Sequence, residues 1–119
     1  MKKDNVVLEK SFAFAIKVVK LYKYLIENKR EYVLSKQFLR SGTAVGALVR
    51  EAQNAESKAD FVHKLAIAQK ECDETIYWIE LMKDTYFIRE KEYNEIHKYA
   101  HELLKIIRSI ILTTKQNTS

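Results

Sequence analysis

Residues 39–52 read LRSGTAVGALVREA and contain both glycines of the 119-residue chain, Gly42 and Gly46, within a run of small side chains. Apolar residues before, within and after the run recur at helical spacing, which predicts a helix. A glycine costs about 1 kcal/mol relative to alanine inside a soluble helix. Because the two glycines share one helix face, we interpret them as the place where another helix packs closely. A phosphate-binding turn is the alternative, but the run lacks the Lys-Ser/Thr ending of a P-loop.

The composition of the whole chain favours helices as well. The chain contains no proline and only these two glycines, whereas β-sandwiches and barrels need many turns rich in Gly and Pro. Its one cysteine, Cys72, excludes an internal disulfide and fits a reducing compartment. No stretch approaches the roughly 18 uninterrupted apolar residues of a membrane span, and the first residues do not resemble a signal peptide. We therefore expect a cytoplasmic all-α protein without a membrane segment.

Four segments carry helical periodicity and predict an antiparallel up-down four-helix bundle that forms a single domain over residues 1–119. The predicted helices span about residues 11–27, 34–55, 58–84 and 90–112.

The first predicted helix has two apolar stripes, one through Phe12 and Ile16 and the other through Phe14 and Val18. Two stripes are more than one core-facing contact requires, so either this helix is deeply buried or one stripe meets a second subunit. The third helix has the clearest beginning, because Ser57 is a good N-cap and Asp60 follows at the spacing of a capping box.

The charge of the chain is unevenly distributed. Residues 1–50 contain 11 Lys/Arg against 4 Asp/Glu, residues 51–119 contain 10 against 12, and the formal net charge is +5. A basic half suits a polyanion or an acidic protein, and a solvated lysine face explains it equally well. Tyr22 and Tyr24 interleave with the lysines and are suited to stacking on unpaired bases, although no RNA-binding motif is present. The candidate phosphate contacts are Lys17, Lys20, Lys23, Lys29, Arg30 and Lys36.

A second set of polar residues lies on partly apolar stripes of the second and third helices. Because partly buried charges need partners, we predict a structural network of ion pairs between these helices or across subunits. Acid–base catalysis by Glu71 and Glu74 is the alternative. The predicted network comprises Arg40, Glu51, Lys70, Glu71 and Glu74.

The histidines raise the question of a metal site. Di-metal bundles use Glu-x-x-His motifs, and none is present; the nearest pattern is Asp60-x-x-His63. His97 and His101 have the spacing of a chelating pair on one helix face. Since such pairs are more often solvated, we predict no metal, no cofactor and no catalytic residue. Cys72 lies on a core stripe without an activating histidine and is expected to pack inertly.

The run Leu39–Ala52, with the residues that follow it through Trp78, resembles the four-helix-bundle family of proteins encoded in 23S rRNA intervening sequences. The resemblance covers nearly the whole chain. Two positions depart from the family pattern, since Ala44 stands where the family usually has Ser, and Leu48 where it usually has Asn; the second change weakens any polar role there. The polar positions that match are Arg40, Glu51, Lys70, Glu71 and Glu74.

The resemblance implies a homopentamer with a central channel, similar in shape to the accessory protein of diversity-generating retroelements. It also implies a basic surface that engages nucleic acid or a reverse transcriptase. We therefore expect a non-enzymatic homo-oligomer that binds RNA or DNA through basic residues. The alternatives are a protein-interaction module that docks an acidic partner such as a reverse transcriptase, and an enzyme dependent on a metal.

Overall fold

Each of the four predicted segments forms a helix. The computed structural model describes residues 2–117 and the side chains of residues 6–117; residues 1, 118 and 119 of the predicted domain lie outside the described residues. Within the described range there are four helices and no strand. They are α1 (Lys2–Asn28), α2 (Leu34–Ala52), α3 (Lys58–Asp84) and α4 (Glu90–Gln116).

The helices pack in the order of an up-down bundle. Each helix contacts the next one along the chain, and α1 also contacts α4. The resulting bundle is 52 Å long and about 20 Å across. This arrangement confirms the predicted all-α class and antiparallel four-helix architecture. In the part of the chain that the structure describes, no helix is both long and apolar enough to cross a membrane.

The two apolar stripes of α1 have different environments. Phe14 and Val18 are buried in the core, together with Leu25. Phe12 and Ile16 point outward and remain 56% and 43% exposed. The first helix therefore has a core-facing side and an outer apolar face, the latter defined by Phe12 and Ile16.

The glycines of α2 lie where α1 comes nearest. A Cβ atom at Gly42 would lie 2.8 Å from both γ-methyl groups of Val18, and one at Gly46 would lie 3.2 Å from the carbonyl oxygen of Ser11. Val18 is fully buried and β-branched, so its side chain has little freedom to move aside. The two helices therefore pack at a distance that leaves no room for a larger side chain at Gly42.

The boundaries of three helices differ from the predicted ones. α1 begins at Lys2 instead of residue 11, because Val7 continues the buried stripe one turn before Ser11. α2 ends at Ala52 instead of residue 55, since the next three N–H groups bond to carbonyls three residues back and tighten the chain into a turn. α4 continues to Gln116 instead of residue 112, with no Gly or Pro to stop it.

The predicted N-cap of α3 is present. Ser57 Oγ accepts a hydrogen bond from the Asp60 N–H at 3.0 Å, and Asp60 Oδ2 accepts one from the Glu56 N–H at 3.2 Å. These two bonds satisfy N–H groups that have no partner within the helix. The start of α3 at Lys58 thus agrees with the prediction.

The N-terminus of α2 is capped by a residue that the sequence pattern does not reveal. Glu31 is buried, and its carboxylate accepts hydrogen bonds from the N–H groups of Leu34 at 2.9 Å and Ser35 at 2.7 Å. Burial raises the pKa of Glu31, but these bonds outweigh it and hold the pKa below its ordinary value. The ionised carboxylate therefore sits at the positive end of the helix dipole.

Both connections at one end of the bundle contain a non-glycine residue in the left-handed region, namely Arg30 with φ 53° and Tyr86 with φ 68°. The Tyr86 N–H donates to the Lys83 carbonyl and the Phe87 N–H to the Met82 carbonyl. This is a Schellman ending of α3, in which glycine is the usual residue at the position of Tyr86.

Cys72 lies in the core, where its thiol donates to the carbonyl oxygen of Ala100 at 3.4 Å. Burial raises the pKa of this thiol to about 12. At neutral pH the side chain is therefore a protonated packing group rather than a nucleophile.

We expect Gly42→Ala to lower the free energy of unfolding by about 1 kcal/mol. Alanine gains about 1 kcal/mol of helix propensity, but overpacking against Val18 costs about 1–3 kcal/mol. Urea denaturation of Gly42→Ala, Val18→Ala and the double variant measures the contact as a double-mutant cycle. The double variant should be more stable than the sum of the two single effects predicts, and simple additivity would contradict the close contact.

We expect Glu31→Gln to lower the free energy of unfolding by about 1 kcal/mol at pH 7, because a neutral amide is a weaker cap. The folded-state pKa of Glu31 lies below its ordinary value of 4.5. The ionised cap therefore contributes stability above about pH 4.5, and this contribution is lost as the pH falls through the folded-state value. Denaturation at pH 7 and pH 3 should show the gap from the parent protein closing in acid. Glu27→Gln, at an exposed carboxylate on α1, is the matched control and should leave stability nearly unchanged.

Candidate functional site

Three of the five residues in the predicted polar network meet between α2 and α3. Arg40 on α2 reaches across to two carboxylates of α3, with Nη1 3.2 Å from Glu71 Oε1 and Nη2 donating to Glu74 Oε2. Trp78 Nε1–H donates to the same Glu74 oxygen at 2.9 Å. We refer to Arg40, Glu71, Glu74 and Trp78 as the α2–α3 polar cluster.

Within the polar cluster, Glu74 and Arg40 each stabilise the charged form of the other. The hydrogen bond from Trp78 lowers the pKa of Glu74, and that from Arg40 adds to this effect against partial burial. The Glu74 carboxylate in turn raises the pKa of the Arg40 guanidinium. Glu74 is thus held as an anion whose Oε2 accepts from both Arg40 and Trp78, which suits an ion pair between helices rather than a proton donor.

A buried hydroxyl pair lies beside the polar cluster. Thr75 Oγ1 on α3 is 2.8 Å from Ser41 Oγ on α2, and both residues are fully buried. The same Thr75 hydroxyl also lies 2.7 Å from the Glu71 carbonyl oxygen of its own helix. Since buried polar groups need partners, this pair fixes how α2 and α3 align along their lengths.

The other two residues of the predicted network lie elsewhere. Glu51 pairs with Lys64 at 3.2 Å, farther along the same two helices, and Lys70 is exposed. Among the residues with described side chains, Lys70 forms no ion pair. The single network of the prediction therefore divides into the polar cluster, a separate surface ion pair and a solvated lysine.

The predicted phosphate contacts also fall into two groups. Lys17 and Lys20 line a shallow groove of about 450 Å³ between α1 and α4, and Glu92 and Glu95 line the same groove. The ammonium group of Lys17 lies 4.3 Å from the centre of the Tyr99 ring. These two lysines thus share their surface with carboxylates of the same chain, which reduces the positive potential there.

The remaining four predicted contacts gather at one end of the bundle. Lys23 lies near the end of α1, Lys29 and Arg30 in the α1–α2 connection, and Lys36 in the first turn of α2; all four are exposed. None of them forms an ion pair with a carboxylate among residues 6–117. We call Lys23, Lys29, Arg30 and Lys36 the basic end.

The most exposed tyrosines lie at this same end. Tyr32 in the α1–α2 connection is 57% exposed, and Tyr86 in the α3–α4 connection is 88% exposed. Tyr22 and Tyr24, which the sequence associates with base stacking, are half-buried. Tyr32 and Tyr86 lie in connections, outside the helix faces from which the candidate contacts were predicted. The signal available in the sequence was a tyrosine in each short connection.

A groove of about 410 Å³ runs between α1 and α2 beside the outer apolar face. Phe12 and Ala15 line one wall, and the small residues Thr43, Gly46 and Ala47 line the other. From α2, the Arg50 guanidinium lies over the Phe12 ring, 5.8 Å from its centre, yet Phe12 remains 56% exposed. The groove and the outer apolar face together form an exposed apolar strip, which Arg50 covers in part.

The fold and these surfaces define a four-helix bundle with an exposed apolar strip and a basic end. The chain belongs to the 23S rRNA-intervening sequence protein family, whose model matches residues 3–109. This confirms the family suggested by the residues between Leu39 and Trp78.

The fold of this chain is closely similar to that of one solved structure. It is a protein of unknown function from the S23 ribosomal protein family of Bacteroides thetaiotaomicron, 50% identical in sequence, with a TM-score of 0.90. The match covers 92% of this chain and 97% of that one. No curated protein matches the chain.

Proposed function

We propose that this protein is a non-enzymatic, self-associating four-helix bundle that binds nucleic acid through its basic end, with RNA as the leading candidate. The observation that carries the proposal is the group of four exposed cations, none of which forms an ion pair among the described side chains, although Lys29 is close enough to Glu92 to lower the pKa of that carboxyl slightly by charge attraction. Cations in this state neutralise phosphates and release counterions without first breaking an internal ion pair. The contacts would position the protein on the backbone and read little sequence.

The rings near the basic end support a preference for unpaired nucleotides. Tyr32 and Tyr86 are exposed, and stacking of a base on an aromatic ring contributes about 1–3 kcal/mol. Tyr86 holds a left-handed backbone conformation in which glycine is usual. An exposed tyrosine at a position where glycine is usual suits a role in contacting a ligand rather than in folding.

Self-association is the second part of the proposal. Phe12 and Ile16 expose a continuous apolar face next to the groove between α1 and α2, which suits a second copy of the chain. A pentamer is the assembly that the family resemblance implies. A ring of chains would also bring several basic ends onto one polyanion and increase avidity.

Replacing the four cations of the basic end should weaken RNA binding and reduce its salt dependence. The variant carries Lys23→Gln, Lys29→Gln, Arg30→Asn and Lys36→Gln; asparagine is chosen for its tolerance of positive φ. Titrating a structured RNA with single-stranded loops at several salt concentrations gives the slope of log affinity against log salt. Removing four phosphate contacts should lower that slope by about three units.

The matched control removes the same charge from other surfaces. It carries Lys58→Gln, Lys70→Gln, Lys98→Gln and Lys105→Gln, all at exposed positions on α3 and α4. This control should retain most of the salt slope of the parent protein. Equal losses in both variants would mean that net charge alone matters, and parent affinity that is absent at low salt or independent of salt would refute the proposal.

Polar substitutions on the outer apolar face should shift the protein toward monomer. Phe12→Gln with Ile16→Gln removes apolar area from that face while keeping good helix formers. Light scattering after size exclusion, over a range of protein concentrations, measures the change. Tyr77→Gln with Leu112→Gln, at similarly exposed apolar positions on α3 and α4, is the control that should keep the parent mass. A parent protein that stays monomeric at high concentration would contradict self-association.

The same cations also suit an acidic protein, the second function that the sequence suggests. The exposed side chain of Val33 beside Tyr32 favours this reading, because protein interfaces combine apolar and charged contacts. A partner that co-purifies after nuclease treatment, and that the four-cation variant loses while its RNA affinity stays unchanged, would favour this function over nucleic-acid binding.

A further inference from the structure

The two histidines of α4 with chelating spacing lie together on its surface. The ring centres of His97 and His101 are 4.4 Å apart, with the rings inclined at 50°. Both residues lie well inside α4, where helical hydrogen bonds fix the backbone on either side. Two imidazoles separated by one helical turn can hold one metal ion at a small cost in side-chain entropy.

Sequence spacing alone predicts a solvated histidine pair and no metal, but the neighbouring helix supplies a third donor that the spacing does not reveal and that changes this expectation. Glu80 on α3 places Oε2 3.0 Å from His97 Nε2. One ligand atom from each of Glu80, His97 and His101 lies within 4.8 Å of the other two. In a tetrahedral zinc site with bonds of about 2.0–2.1 Å, adjacent ligand atoms are about 3.3 Å apart. Small side-chain rotations would therefore bring the three donors to the spacing that a metal requires.

We propose that Glu80, His97 and His101 form a binding site for one divalent transition-metal ion, with Zn²⁺ as the best match. Two neutral imidazoles and a carboxylate are a known zinc donor set, in which a fourth position remains open to water or another ligand. The imidazoles disfavour Mg²⁺ and Ca²⁺, which prefer oxygen ligands throughout. The ion would link the first half of α4 to the C-terminal part of α3.

Lys83, the cationic residue one turn after Glu80, contacts groups other than the three proposed ligands. Lys83 directs its ammonium group at the ring of Tyr93, 4.5 Å from its centre, and lies 3.9 Å from the Glu90 carboxylate. Tyr93 in turn packs against His97, with ring centres 4.7 Å apart. These contacts direct the Lys83 ammonium group toward Glu90 and Tyr93. The Tyr93 ring in turn restrains the position of the His97 ring.

Zinc titration of the full chain, after treatment with a chelator, tests the site. Calorimetry should give one Zn²⁺ per chain, the melting temperature should rise with Zn²⁺, and Co²⁺ should give the absorption bands of a tetrahedral complex. His101→Gln and Glu80→Gln should each weaken Zn²⁺ binding at least about tenfold, because even the loss of an outer-shell partner costs about 10–100-fold. His63→Gln, at the third histidine of the chain, is the control and should bind as the parent does.

Three outcomes would overturn the proposal. Parent protein that binds no Zn²⁺ would show that Glu80 and His97 form an ordinary hydrogen bond. Affinity unchanged in His101→Gln would exclude the chelating pair, and affinity unchanged in Glu80→Gln would exclude the third ligand. Circular dichroism of each variant without metal checks that the helices are intact, and the Co²⁺ spectrum of the parent protein provides a result that depends on no variant. The inference is independent of nucleic-acid binding.

Discussion

The close approach of α1 and α2 at Gly42 and Gly46 is the constraint on which the rest of the bundle depends. With no Cβ at these positions, the Val18 methyl groups and the Ser11 carbonyl lie directly against α2. The small residues of α2 beside this contact leave much of the outward side of α1 exposed, and Phe12 stays on the surface although Arg50 lies over its ring. Tight packing inside the bundle and an exposed apolar strip outside it therefore have one origin.

The opposite side of α2 contacts α3 through a different kind of interaction. There the contact with α3 is polar, through Arg40 on the surface and the buried pair of Ser41 and Thr75. Apolar contact tolerates small shifts along the helix axes, whereas hydrogen bonds with fixed partners do not. The glycine side of α2 thus sets a distance and the polar side sets an alignment.

The sequence predicts features that depend on spacing along one helix. The four helices and the cap of α3 at Ser57 follow from such spacing. Features that depend on how helices are rotated against each other do not follow from it. The pairing of Glu51 with Lys64, the carboxylates beside Lys17 and the approach of Glu80 to His97 are all of this second kind. Glu31 was missed for a related reason, because a buried cap outside the helix has no periodic pattern to reveal it.

The position of Cys72 gives the protein an internal reporter of its own motions. Its thiol is the only one in the chain, is fully buried and is protonated at neutral pH. A thiol-reactive reagent can label it only when α3 and α4 separate around Ala100 or when the bundle unfolds. The labelling rate of the natural sequence therefore measures how often the core opens, and a ligand that stabilises the closed bundle slows that rate in proportion.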